Sequence, residues 1–241
     1  DWDRVKKSRS FQNGALTYME VAQRVLSGYG QSGVTDHATG GACIPEFLLQ
    51  YEESDWVFLR RLASHFGTYL LADATDACGK VYFGIPEISY GTVLDRQDYT
   101  MEKDMLHYAR VLEKEGVLSQ EASCWNVMVR FFLRMGETLT FNGIEAVVTA
   151  MRLHTEKGEL VYSYVLVRRA GIRREKEKNP GIFGMSIPAT VMERSGNRIR
   201  VHFEIDPEYE ASEKTKYFTY AIESSSFYCM PEEGSQVHIY F

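Results

Sequence analysis

Apolar positions change their spacing several times along this chain, and each change marks an element. Over Gln50–Gly67 (QYEESDWVFLRRLASHFG), Trp56, Leu59, Leu62, Ala63 and Phe66 recur at three- and four-residue intervals. That is the stripe of an amphipathic helix. Glu52, Glu53, Ser54 and Asp55 cluster at its start, offering an N-cap and negative charge to the positive end of the helix dipole. Arg60, Arg61, Ser64 and His65 fall on the other face, and Gly67 supplies the stop. The period then switches to two: Thr68–Ala72 and Lys80–Phe83 read as strands around a turn containing Asp76 and Gly79.

The same reading extends in both directions. Residues 1–15 form an entry strand or loop, and Thr17–Gly28, with Met19, Val21, Ala22, Val25 and Leu26 on one stripe, is a helix. Residues 29–45, rich in glycine, read as an irregular loop, and Ile44–Tyr51 as an extended lead-in to the organising helix. Beyond Pro86 the pattern turns to β. Tyr99–Glu115 fits a helix or an edge strand, and a strand is expected for its first half. Cys124–Leu133, Met135–Asn142, Ile144–His154 and Glu159–Arg169 follow as strands, with turns at Asn142-Gly143 and Lys157-Gly158. This is an antiparallel meander, expected to curl into a barrel. Residues 170–181 (AGIRREKEKNPG) read as a polar linker. Gly184–Glu193, Arg198–Glu204, Thr215–Ile222 and Val237–Phe241 are then short strands, the first pair joined at Ser195-Gly196-Asn197, suiting a small OB-type barrel.

With 241 residues and 44% hydrophobic positions the chain can bury ordinary cores in one to three domains. No run approaches the ~18 apolar residues that span a bilayer, so no stable membrane anchoring is expected. The chain starts at Asp1 rather than Met, and it is expected to be a piece of a longer protein. The net charge of −6 speaks against a dedicated nucleic-acid coat. Arg168–Lys178 is locally basic and Glu204–Glu233 locally acidic, which reads first as solvated surface. Cys43, Cys78, Cys124 and Cys229 are isolated, so reduced, mostly buried thiols are expected, consistent with assembly in a cytoplasm.

Little in the sequence suggests catalysis. The glycines of GYGQSG, Gly28, Gly30 and Gly33, close a helix, whereas a phosphate cradle follows a strand and opens one. Gly184-Met185-Ser186-Ile187-Pro188 fails the nucleophile-elbow pattern at its last position. Asp36-His37 is the best leftover pair, but it lacks a third partner nearby in sequence. His37, His65, His107, His154, His202 and His238 are scattered. No catalytic, cofactor-binding or metal-ligating residue is nominated, and the expectation is a non-enzyme without cofactor.

Two stretches resemble one family. Gln50-Tyr51, the acidic pair, Ser54-Asp55-Trp56, then Phe58-Leu-Arg-Arg-Leu62 and Phe66-Gly67 resemble the VgrG and phage late control protein D family, the baseplate hub and spike proteins of contractile tails and type VI secretion systems. Ile187-Pro-Ala-Thr-Val191 with Asn197-Arg-Ile-Arg-Val-His-Phe203 resembles the opening hairpin of that family's spike OB domain. Met230-Pro-Glu-Glu-Gly-Ser-Gln-Val237 and His238-Ile-Tyr-Phe241 resemble its closing strand, with Ser235-Gln236 where an acidic residue is usual.

The resemblance implies a mainly β, α+β chain: a hub-type β-barrel with a helical/β insertion region, followed by a small OB-fold barrel. It divides the chain into an α+β hub region over 1–88, a tube-like barrel over 89–171, a linker over 172–182 and a spike collar over 183–241. It implies a structural part linking tail tube to spike in a phage tail, tailocin or type VI-like apparatus. Implied partners are two further copies in a homotrimer, tail tube and baseplate proteins, and a downstream spike or needle; nucleic acid would at most pass through the lumen. The alternative is an OB-fold module binding single-stranded nucleic acid or carbohydrate. Its face would use Arg198, Arg200, His202 and Phe203 with Tyr217, Phe218, Tyr220, Phe227 and Tyr228.

Overall fold

The computed structural model describes residues 2–30, 32–45, 47–73, 75, 79–95, 97–221 and 230–241. In chain order it contains β1 (Lys6–Phe11), α1 (Tyr18–Leu26), β2 (Gly33–Asp36), β3 (Leu48–Ser54), α2 (Asp55–Ser64), β4 (Leu70–Ala72) and β5 (Lys80–Phe83). Then come β6 (Ile88–Leu94), β7 (Tyr99–Lys103), α3 (Met105–His107), β8 (Ser123–Val129), β9 (Glu137–Phe141), β10 (Ile144–Glu156) and β11 (Glu159–Val167). Last are β12 (Ser186–Ser195), β13 (Arg198–Phe203), β14 (Tyr217–Thr219) and β15 (Gln236–Tyr240). The fold is mainly β with few helices. Its elements form two units of interleaved segments: Asp1–Val25, Gly41–Phe58 and Lys178–Phe241 in one, Leu26–Gly40 and Leu59–Glu177 in the other.

In the first unit, β12 and β13 form a hairpin around Ser195-Gly196-Asn197, where Gly196 takes a φ of 59°. β14 and β15 flank it in the antiparallel order β14-β13-β12-β15. Alternation buries Ile187, Ala189 and Val191 of β12 in one cluster with Ile199, Val201 and Phe203 of β13, Ala189 lying opposite Phe203 and Val191 opposite Val201. Each large apolar side chain so removed from water contributes roughly 1.5–3 kcal/mol. Leu49 of β3 enters the same cluster, and Phe47 stacks on Phe241 with ring centroids 5.5 Å apart. β3 pairs antiparallel with β1 from Lys6↔Ser54 to Phe11↔Leu48.

α1 starts at a reciprocal cap. The Glu20 amide donates to Thr17 Oγ1 at 3.1 Å, and the Thr17 amide donates to Glu20 Oε2 at 2.7 Å, satisfying two amides that the helix cannot. α2 starts where the acidic cluster predicts, with Ser54 Oγ accepting from the Val57 amide at 3.2 Å. Phe58, Leu59, Leu62 and Ala63 have no exposure. The opposite face is largely covered as well, since Arg61 and Ser64 are buried. The helix is therefore enclosed rather than lying on a surface, which its polar positions do not reveal.

In the second unit, six strands run in the order β6-β9-β10-β11-β8-β7. Asn142 and Gly143 between β9 and β10 have φ of 47° and 78°, and Lys157 and Gly158 between β10 and β11 have 50° and 85°. These positive pairs match the twist of the strands they join. Leu139 and Phe141 of β9 pack with Ala146, Val148, Val127, Tyr164 and Leu166. A second sheet, β2-β5-β4, contains the expected β4–β5 hairpin, although Asp76 of its turn lies outside the described residues. It also contains β2, parallel to β5, inside the stretch 29–45 read as loop. Four residues with Thr35 and Asp36 show no period of their own; the β5 ladder makes them a strand.

The expected barrels are not closed among the described residues. The six-stranded sheet ends at β6 and β7 with no ladder between them. β6 is bulged over Tyr90–Thr92, where its register to β9 shifts between Ser89 and Val93. The four-stranded sheet ends at β14 and β15. β14 has three residues, and Ile222, the end of its expected strand, lies outside the described residues with the rest of 222–229.

The charged stretch 170–181 is anchored. Ile172 is buried, the Arg174 amide donates to the Gly67 carbonyl at 3.0 Å, and the Glu177 amide donates to Ser64 Oγ at 2.8 Å. The second unit ends at Glu177.

Candidate functional site

The two edges of the six-stranded sheet differ in a way that bears on assembly. β7 pairs with β8 in unbroken register from Tyr99↔Val127 to Lys103↔Ser123, and all five of its residues are exposed. Among the described residues no strand pairs with its outer side. Tyr99 is 49% and Met101 60% exposed, and Met105 and Leu106 of α3 continue the apolar run. β6 is instead kinked by its bulge, with Gly91 at a φ of 70°. A flat, regular edge offers a row of free N–H and C=O groups to another chain, whereas a bulge blunts one. The sequence led to a strand over the first half of Tyr99–Glu115, where β7 lies. It could not show that β6 and β7 bound the same sheet, because strand order is not local.

The remaining sequence candidates are separated or occupied. Asp36 Oδ1 accepts from the amides of Ala38 and Thr39 at 2.9 and 2.8 Å, and Oδ2 accepts from Thr39 Oγ1 at 2.5 Å. The carboxylate shapes its own turn. His37 packs its ring against Tyr82 at 5.7 Å. The Tyr82 hydroxyl donates to Asp73 Oδ2 at 2.8 Å, and burial, then that bond, push it up to about 12. The glycines of GYGQSG lie between α1 and β2, so they follow a helix and lead into a strand. Among the described residues no three His, Cys, Asp or Glu side chains gather as a metal site, and Cys43 and Cys124 are free thiols. Cys78 and Cys229 lie outside the described residues.

The basic and aromatic set on the four-stranded sheet is turned on itself. Arg200 and Arg198 lie 4.1 and 5.1 Å from the centre of the Tyr217 ring. The Tyr217 hydroxyl donates to Glu193 at 2.6 Å and Arg200 donates to the same carboxylate at 2.9 Å. Those contacts, the tyrosine bond foremost, hold Glu193 below the usual carboxylate range. Phe203 is fully buried and meets Phe218 edge-on at 5.7 Å. His202 is stacked under Tyr209 at 3.6 Å. Phe227 and Tyr228 lie outside the described residues. Little of the set is left to stack on a base or a sugar.

No family model matches the chain, and no curated protein matches it. Two solved structures share this fold, a type VI secretion component and a prophage tail protein. The Escherichia coli c3393 protein is described as a component of the type VI secretion system with structural similarity to the T4 bacteriophage tail proteins gp27 and gp5. It superposes with a TM-score of 0.67 over 100% of this chain and 71% of its own, at 16% identity. The 43 kDa tail protein of prophage MuSo2 from Shewanella oneidensis superposes with a TM-score of 0.50 over 68% of this chain and 67% of its own, at 12% identity. At these identities the likeness shows the fold alone, one shared with a phage tail protein and with a type VI secretion component.

Proposed function

We propose that this chain is a structural part of the baseplate hub of a contractile tail, tailocin or type VI-like injection apparatus, of the VgrG and late control protein D kind. In this reading residues 1–88 are the α+β hub region and 89–171 a ring-forming domain facing the tail tube. Residues 172–182 are the connection, and 183–241 the collar leading to the spike. The protein works as a homotrimer with tube, baseplate and spike partners in the virion tail or injection machine, and it has no catalytic role. The observation that carries the proposal is the superposition, covering 100% of this chain, on the type VI component. The free edge of β7 supports it, since a ring needs one repeated heterologous contact in which each copy's open edge is covered by the next.

The test is a pair of lysine substitutions, Tyr99→Lys and Met101→Lys, which share one face of β7. They should leave the far-ultraviolet spectrum unchanged and abolish assembly into particles when co-expressed with the tail proteins. Normal particle yield would remove β7 from the interface. Robust clearing of peptidoglycan by the purified protein would overturn the non-enzymatic part.

A further inference from the structure

The Asp36–His37 loop and the basic stretch meet in the second unit. A cleft of about 650 Å³ is lined by His37 after β2, His65 beyond α2, and Arg169 and Arg173 after β11. Glu115 lies on its wall and neutralises Arg173, with Nε to Oε2 at 2.8 Å. Arg169 is different. Its Nη2 donates to the neutral Thr138 hydroxyl at 2.7 Å, and among the described residues no carboxylate pairs with it. The cleft therefore holds two guanidinium groups against one carboxylate.

His65 lines the same cleft. Its imidazole is held down at about 4, first by burial and then by the charges of Lys176 and Arg61. The charges of Lys176 and Arg61 favour an anion here, whereas burial, the larger cause of the shift, disfavours any charge. The opposing negative end of α2 has its last carbonyls engaged: Ser64 O accepts from the Gly67 amide at 3.0 Å, and Ala63 O from Phe66 and Thr68.

We propose that this cleft is an oxyanion site, taking one carboxylate or phosphate group on Arg169 and Arg173 with His37 and His65 as flanking donors. Guanidinium groups suit such ligands because their planar N–H pairs match two oxygens at once. Two sources supply the group: free phosphate, or a carboxylate on a polypeptide. The chain's own acidic loop offers the second in a neighbouring copy, where Glu208 and Glu213 are exposed and, among the described residues, make no ion pair.

The experiment follows the histidine resonances of the ¹⁵N-labelled chain near neutral pH. It is titrated separately with inorganic phosphate, with a peptide of the sequence 204–213, and with sodium chloride at matched ionic strength. His37 and His65 should shift saturably with phosphate or the peptide and stay in place with chloride. Arg169→Gln should weaken binding about tenfold or more, the loss expected for one charge-assisted hydrogen bond, and Arg169→Lys should retain part of it. Tighter binding of the peptide assigns the group to a polypeptide; tighter binding of phosphate assigns it to the free ion. Shifts that chloride reproduces would overturn the site. So would undiminished binding by a folded Arg169→Gln chain, or by Arg173→Gln if the first variant does not fold.

Discussion

Arg9 of β1 donates through its guanidinium to the carboxylate of Asp55, a side chain with no exposure at the first position of α2. Lys7 reaches the second oxygen of the same carboxylate at 2.6 Å, and Gln50 Nε2 donates to the first at 2.9 Å. One buried carboxylate thus ties together β1, β3 and the start of α2. Removing it leaves Arg9 and Lys7 facing each other, with their exposures of 22% and 36% limiting their escape to water. Asp55→Ala should cost about 3 kcal/mol, and Asp55→Asn less, because the amide still accepts a hydrogen bond. Urea unfolding curves check both; a loss below about 1 kcal/mol for Asp55→Ala, the scale of a surface pair, would show that the cluster is not holding these elements.

His65 sets a pH dependence whose sign is fixed. Its folded value of about 4 lies below the ordinary 6.5. Between those values the unfolded chain holds the extra proton, so stability rises with pH across that window and its loss is complete below about 4. His65→Gln should flatten this part of the stability profile. Thermal melts taken from acid to neutral pH provide the check, and an unchanged slope in the variant would assign the dependence elsewhere.

Proteolysis should locate where the basic stretch is held. Arg173 and Arg174 are fixed by contacts to Glu115, Gly67 and Glu177, while Lys176 and Lys178 are exposed. Brief trypsin treatment should cut first after Lys176 or Lys178. First cuts after Arg173 or Arg174, read by mass spectrometry, would mean that those anchors open readily in solution.

What the sequence revealed was local. Asn142-Gly143, Lys157-Gly158 and Ser195-Gly196-Asn197 announce hairpins because their conformations depend on neighbouring residues alone. Ser54 marks the start of α2 for the same reason. What stayed hidden depends on partners far along the chain. Gly33–Asp36 becomes a strand through β5. Arg61 and Ser64 are covered by segments that the helical period does not encode. Barrel closure was inferred from the count of strands, yet among the described residues β6 and β7 end the sheet unpaired with each other. The candidate surface followed the same rule: β7 was legible as a strand, its free edge was not. The cleft joining His37, His65, Arg169 and Arg173 draws on three separate stretches, none with a spacing that signals the others.

The central claim, that this fold serves as a ring-forming hub, is tested most directly by size-exclusion chromatography with light scattering on the full-length gene product. A closed ring covers every open edge with one repeated contact, and the account predicts a trimer that persists on dilution. Tyr99→Lys with Met101→Lys should lower that mass toward one copy. A stable dimer, or a strict monomer at every concentration, would contradict the hub assignment.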